Sequence, residues 1–234
     1  MTDKHAYKFD SHDTLPVQNT LLLEICIDLS TSMMDRVRNT SKLDLLKAAV
    51  DAMVKSMTQD KLLKRAVELG VISFASDVRE LREPSSLEDN PQSIPLPQKA
   101  DGYTKLGEGV VSALKRLQKR KKTLEREAST CLLRPILIIL SDGTPCHSSK
   151  SALKAAKEGC QTATDLVVVP VSIGQDATSV LSDFGNVIEI TQFDIGEPFS
   201  AIVSASKSSL STHAGASFET LLHAAMSWSN ISTR

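Results

Sequence analysis

The sequence predicts an α/β fold: a three-layer, doubly wound, mostly parallel sheet with one antiparallel edge strand. Three observations predict it. Residues 21–27 (LLLEICI) and 166–173 (LVVVPVSI) are short, nearly continuous apolar runs, as in strands buried on both faces. Between such runs lie stretches with apolar residues every three or four positions, the mark of amphipathic helices. The length of 234 residues, 41% hydrophobic and 24% charged, suits one domain with its own core. We divide the chain into an N-terminal extension, 1–19, and a single domain, 20–234, ending in a Ser/Thr/Ala-rich helical segment.

Each element follows from a local signal. After the 21–27 strand, Leu43, Leu46, Ala49, Val50, Met53 and Met57 trace a helix face, with Ser41 and Asp44 placed to cap its start. Residues 65–76 (RAVELGVISFAS) read as a strand, and Asp77 turns the chain into a second at 78–82, a hairpin. Residues 83–100 carry Pro84, Pro91, Pro95 and Pro97 and predict a long loop, functional or mobile. A helix over 105–126, a strand at 135–140 and a helix over 148–160 follow. The 166–173 strand, a short helix near 176–183, a strand at 187–190 and a helix over 197–208 continue the alternation. Phe218, Leu221, Leu222, Ala225 and Met226 predict a weak last helix, anchored by Trp228.

Composition excludes several function classes. With 27 basic and 28 acidic side chains and 4% aromatics, no global field or stacking surface invites nucleic acid. Residues 1–13 lack a leader pattern, and no apolar run is long enough to span a membrane, so the expected place is the cytoplasm. Cys26, Cys131, Cys146 and Cys160 are irregularly spaced, as isolated reduced thiols would be. The basic run 115–122 reads as the solvated face and end of a helix.

In doubly wound sheets ligands bind at the carboxyl ends of the strands. Three such ends share one chemistry. The first strand ends in Asp28-Leu29-Ser30-Thr31-Ser32, and alternation lets Asp28, Ser30 and Ser32 converge. Thr104 precedes a helix, and Asp142 follows the 135–140 strand, before Gly143. As turn chemistry alone, Asp28 and Ser30 would cap a turn, Thr104 would be an N-cap, and Asp142-Gly143 a tight turn. Taken together, two carboxylates and three hydroxyls make a hard oxygen set, suited to Mg²⁺ and able to hold Mn²⁺ or Ca²⁺. No His or thiol is placed among them, which disfavours zinc; His147 reads as a polar residue starting a helix. Hydroxyl ligands would leave the ion electron-poor and open to a carboxylate from another molecule.

At these residues the chain resembles the von Willebrand factor A family, over about 15–209. That family's metal-ion-dependent adhesion site consists of D-x-S-x-S, a distant Thr and a later Asp, matched here by Asp28, Ser30, Ser32, Thr104 and Asp142. The resemblance implies a non-enzymatic, metal-dependent protein-binding module whose partner donates an acidic side chain. Thr31, Met33, Tyr103 and Lys105 would form the rim that the partner touches. Residues 104–108 (TKLGE), 141–145 (SDGTP) and 202–209 (IVSASKSS) look most like the stand-alone bacterial members associated with tellurium resistance. That branch implies a cytosolic stress-response adaptor with phosphatase or kinase partners. Thr31 and Tyr103 depart from the family, which often has Gly at both places. The alternative is a Mg²⁺-dependent haloacid-dehalogenase-like phosphotransferase. Its chemistry needs an acid two residues after the first Asp, where this chain has Ser30.

Overall fold

β1 (Gln18–Asp28) runs through the middle of the sheet, and its alternation assigns the two halves of the core. Leu21, Leu23, Ile25 and Ile27 point into one apolar cluster, and Leu22 and Cys26 into the other. The structure, a computed structural model, describes residues 18–37, 39–127, 130–143, 145, 147–174, 176–190, 196–211 and 218–229. The extension through residue 17, Thr144, Cys146 and the side chain of Trp228 lie outside the described residues.

A 3₁₀ turn (Thr31–Met34) follows β1, and then a two-residue pair, β2 (Arg36–Val37) with β3 (Thr40–Ser41). Ser41 caps α1 (Lys42–Gln59) as predicted: its hydroxyl accepts from the Asp44 N–H at 3.1 Å and donates to the Asp44 carboxylate at 2.7 Å. The strand predicted over 65–76 begins later. α2 (Lys61–Ala66) precedes it, because the Asp60 side chain accepts from the N–H groups of Leu62 and Leu63 and nucleates a helical turn. β4 (Val67–Phe74) and β5 (Val78–Ser86) then form the hairpin, β5 being the antiparallel edge that tolerates Pro84.

α3 (Leu106–Leu124), β6 (Thr130–Leu132), β7 (Ile136–Ser141), α4 (Lys150–Thr162) and β8 (Val167–Ile173) come next. α5 (Thr178–Leu181), β9 (Ile188–Ile190), α6 (Gly196–Ser211) and α7 (Phe218–Ser229) complete the order. The strands lie in the order β5-β4-β1-β7-β8-β9, all parallel except β5. β6, which the sequence reading lacks, pairs with the start of β1 and is too short to show a period. α1, α2, α6 and α7 cover one face; α3, α4 and α5 cover the other.

The loop after β5 is tied down. Leu87, Ile94 and Ala100 are buried in the core. Arg82, also buried, donates from Nε to the Leu69 carbonyl (3.0 Å), from Nη1 to that of Gln92 (3.3 Å) and from Nη2 to that of Asn90 (2.6 Å). The basic run on α3 is only partly a solvated face. Arg116 donates at 2.8 Å to Glu24, whose carboxylate is fully buried in the sheet, and also pairs with Glu80. Arg120 grips Glu68 with two bonds of 2.6 and 2.5 Å, and Lys121 pairs with Asp165.

Candidate metal centre

Parallel pairing brings the ends of β1 and β7 side by side, Ile27 opposite Leu140, so the next residues, Asp28 and Ser141, adjoin. Asp28 Oδ1 accepts from the Ser30 N–H at 2.8 Å, and Oδ2 accepts from the Ser141 hydroxyl at 2.5 Å. The first of these is the turn that Asp28 was expected to cap. Burial pushes the Asp28 carboxyl up to about 6, against the pull of the Ser141 and Ser30 hydrogen bonds.

From Ser30 a chain of oxygens leads to the next strand end. Ser30 Oγ lies 3.1 Å from Ser32 Oγ, and Ser32 Oγ donates to Asp142 Oδ1 at 2.7 Å. A hydroxyl has one proton. Ser32 spends its proton on Asp142, so in the Ser30–Ser32 contact Ser30 donates. Both oxygens thereby keep lone pairs for a cation. The other Asp142 oxygen, Oδ2, accepts from Lys42 Nζ at 2.7 Å. Ser30 and Asp142 are 2% exposed and Asp28 is 0% exposed. The structure thus gathers Asp28, Ser30, Ser32 and Asp142 into one network.

Thr104 is buried, one residue before Lys105, which occupies the N-cap position of α3 without a side-chain cap bond. Thr104 thus lies one position ahead of the N-cap rather than at it. Its loop is bound to the first one by Thr31, whose hydroxyl accepts from the Gly102 N–H (3.0 Å) and donates to the Gly102 carbonyl (3.1 Å). The Thr31 N–H also donates to that carbonyl at 3.1 Å. Gly102 has φ +92°, and a Cβ there would sit 2.3 Å from Ser76 Oγ, so the position requires glycine.

The rim differs from expectation at one residue. Met33 is completely buried, because the 3₁₀ turn sends it into the core, and Met34 faces outward instead. Thr31 is exposed and Lys105 half-buried. Tyr103 is 53% exposed and stacks on His147, with ring centroids 3.7 Å apart. Sequence reasoning missed Ser141, Lys42 and His147 in these roles. Ser141 was legible as the strand end beside Asp142. Lys42 carried a faint signal, a cation in the first turn of a helix, where the dipole disfavours one.

The donor set fits a hard divalent ion: all oxygen, two buried carboxylates, hydroxyls with free lone pairs, and an ammonium drawn to one carboxylate. No group of three or more His, Cys, Asp and Glu able to hold a metal exists among the described residues. A metal here would therefore depend on the hydroxyls.

The sequence model of the von Willebrand factor type A domain matches residues 23–144, slightly more than half of the chain. The fold is similar to the PilB minor pilin from Streptococcus sanguinis (TM-score 0.61, 14% identity, 85% of this chain and 64% of that one). It is similar to proximal thread matrix protein 1 from the mussel byssus with a zinc-occupied metal-ion-dependent adhesion site (0.55, 17%, 81% and 48%). It is also similar to the conserved hypothetical protein BatB from Bacteroides thetaiotaomicron (0.55, 16%, 82% and 98%). The chain spans under two thirds of the pilin and about half of the mussel protein. No curated protein sequence matches it.

Proposed function

This chain belongs to the von Willebrand factor type A domain family, and from that premise we propose that it is a non-enzymatic, Mg²⁺-dependent protein-binding module. One observation carries the reading: the continuous run of oxygens from Ser30 through Ser32 to Asp142, at 3.1 and 2.7 Å. Ser30, Ser32 and Thr104 supply hydroxyl ligands, and Asp28 and Asp142 bind directly or through water. Asp28 also orients the first loop through the Ser30 N–H. When bound, the ion supplies an electrophilic centre for an Asp or Glu of the partner. Thr31, Met34, Tyr103 and Lys105 form the surface around that acid.

We place the domain as a cytosolic adaptor in a bacterial stress response of the tellurite-resistance kind, with a phosphatase or kinase as partner. This rests on the likeness of residues 104–108, 141–145 and 202–209 to that branch. No helix among the described residues is long and apolar enough to cross a membrane.

Thermal melts test the metal claim. At one hundred times its dissociation constant, Mg²⁺ stabilises the fold by about 2.7 kcal/mol. Chelation lowers the melting temperature, and Asp28→Ala abolishes the difference. The panel includes Mn²⁺, Ca²⁺ and Zn²⁺, since the mussel protein's site holds zinc. Identical melts with and without every ion overturn the claim. Turnover of a generic phosphate ester that Asp28→Asn abolishes would replace the adaptor by a phosphotransferase.

A further inference from the structure

Lys42 is an unusual choice for its position. It is the first residue of α1, where the exposed N–H groups favour an anion and repel a cation. Its side chain is 17% exposed, and its ammonium sits 2.7 Å from an Asp142 carboxylate that is 0% exposed. The same ammonium lies 3.9 Å from Asp35, whose side chain is 70% exposed, and the Lys42 N–H donates to the Asp35 carbonyl at 3.0 Å. The pair 42/142 thus balances the Asp142 carboxylate, one of the two buried carboxylates of the site.

We propose that Lys42 is the resident counter-cation of this centre, and that it sets metal affinity by competing with a divalent ion for the Asp142 carboxylate. The inference rests on the metal-dependent reading above. Without metal, Lys42 compensates Asp142 and holds it against Ser32. With metal, the two cations repel across a few ångströms in a poorly screened site, so binding is weaker than the oxygen set alone would give. Asp35 offers the ammonium a second anion on the solvent side. The ion's remaining positive charge is then kept for the partner's acid rather than cancelled by Asp142.

The test is a calorimetric titration of the full chain with Mg²⁺ and with Mn²⁺ at fixed pH, on wild type, Lys42→Met, Lys42→Gln, Lys42→Arg and Asp28→Asn. Removing the charge tightens metal binding about tenfold or more, and Lys42→Arg stays near wild type. In chelator, Lys42→Met and Lys42→Gln melt lower than wild type, since Asp142 is left bare, and they gain more from added Mg²⁺. Damage to the fold alone would weaken binding, so tightening is specific to competition. If Lys42→Met fails to fold, Lys42→Gln carries the comparison. Equal or weaker binding in the neutral variants, with wild type binding and Asp28→Asn not, overturns the role of Lys42 and leaves the metal reading standing. Binding only in the neutral variants supports Lys42 as competitor and overturns metal-dependent function in the native chain. No binding in any variant overturns both.

Discussion

The Ser141 hydroxyl donates to the Asp28 carboxylate at 2.5 Å across 113 residues of sequence, and both side chains are wholly out of solvent. It is the contact that lets β7 steady the charge at the end of β1. Ser141→Ala leaves Asp28 Oδ2 without that donor and costs about 1–3 kcal/mol, the usual penalty for stranding a buried acceptor. Urea unfolding in chelator measures it. On the proposed metal-dependent reading, the same variant binds Mg²⁺ more weakly than wild type at pH 6, because the lost bond favoured the ionised carboxyl. A variant as stable as wild type would show that Asp28 is satisfied elsewhere.

Thr31 stands where the family often has Gly, and its side chain makes the first loop bulkier than glycine would. The structure gives that threonine a use: its hydroxyl bridges to both polar atoms of the Gly102 backbone. Thr31→Val keeps the shape and removes the bridge. The expected loss is about 1 kcal/mol, and hydrogen exchange at the Gly102 N–H speeds up while exchange in β1 does not. Unchanged exchange at Gly102 would mean that the Thr31 N–H bond to its carbonyl suffices.

Glu24 faces the α3 layer from the middle of β1, with Oε1 held by Arg116 and Oε2 lacking a hydrogen-bond partner. Burial pushes its carboxyl up from 4.5 to about 7, Arg116 pulling the other way. The folded protein therefore holds this proton to higher pH than the unfolded chain does. Stability falls as pH rises from 4.5 to 7, by up to about 3 kcal/mol. Asp28 adds to the slope between 3.8 and about 6, so the comparison with Glu24→Gln isolates Glu24. The variant has a flatter profile in metal-free urea melts, and an unaltered slope would refute the assignment.

Much of the architecture was legible because burial imposes period. The β1 run alternates between two core layers, and the cap at Ser41 obeys local hydrogen-bond geometry. α2 was missed because six residues hold too few turns to show a helical period, and β6 because three residues show none. Met33 and Met34 exchange roles at the rim because a single 3₁₀ turn, not the sequence pattern, decides which one faces the core.

The sequence by itself determined the alternating α/β order and pointed to Asp28, Ser30, Ser32 and Asp142 beside two strand ends and Thr104 before a helix, since these follow from patterns that short segments carry alone. Only the tertiary structure decided who partners whom: Ser141 with Asp28, Lys42 with Asp142, Arg116 with Glu24, Tyr103 with His147. Such pairings depend on strand register and on the meeting of distant loops, and a charge or hydroxyl carries no local mark of the group it will meet.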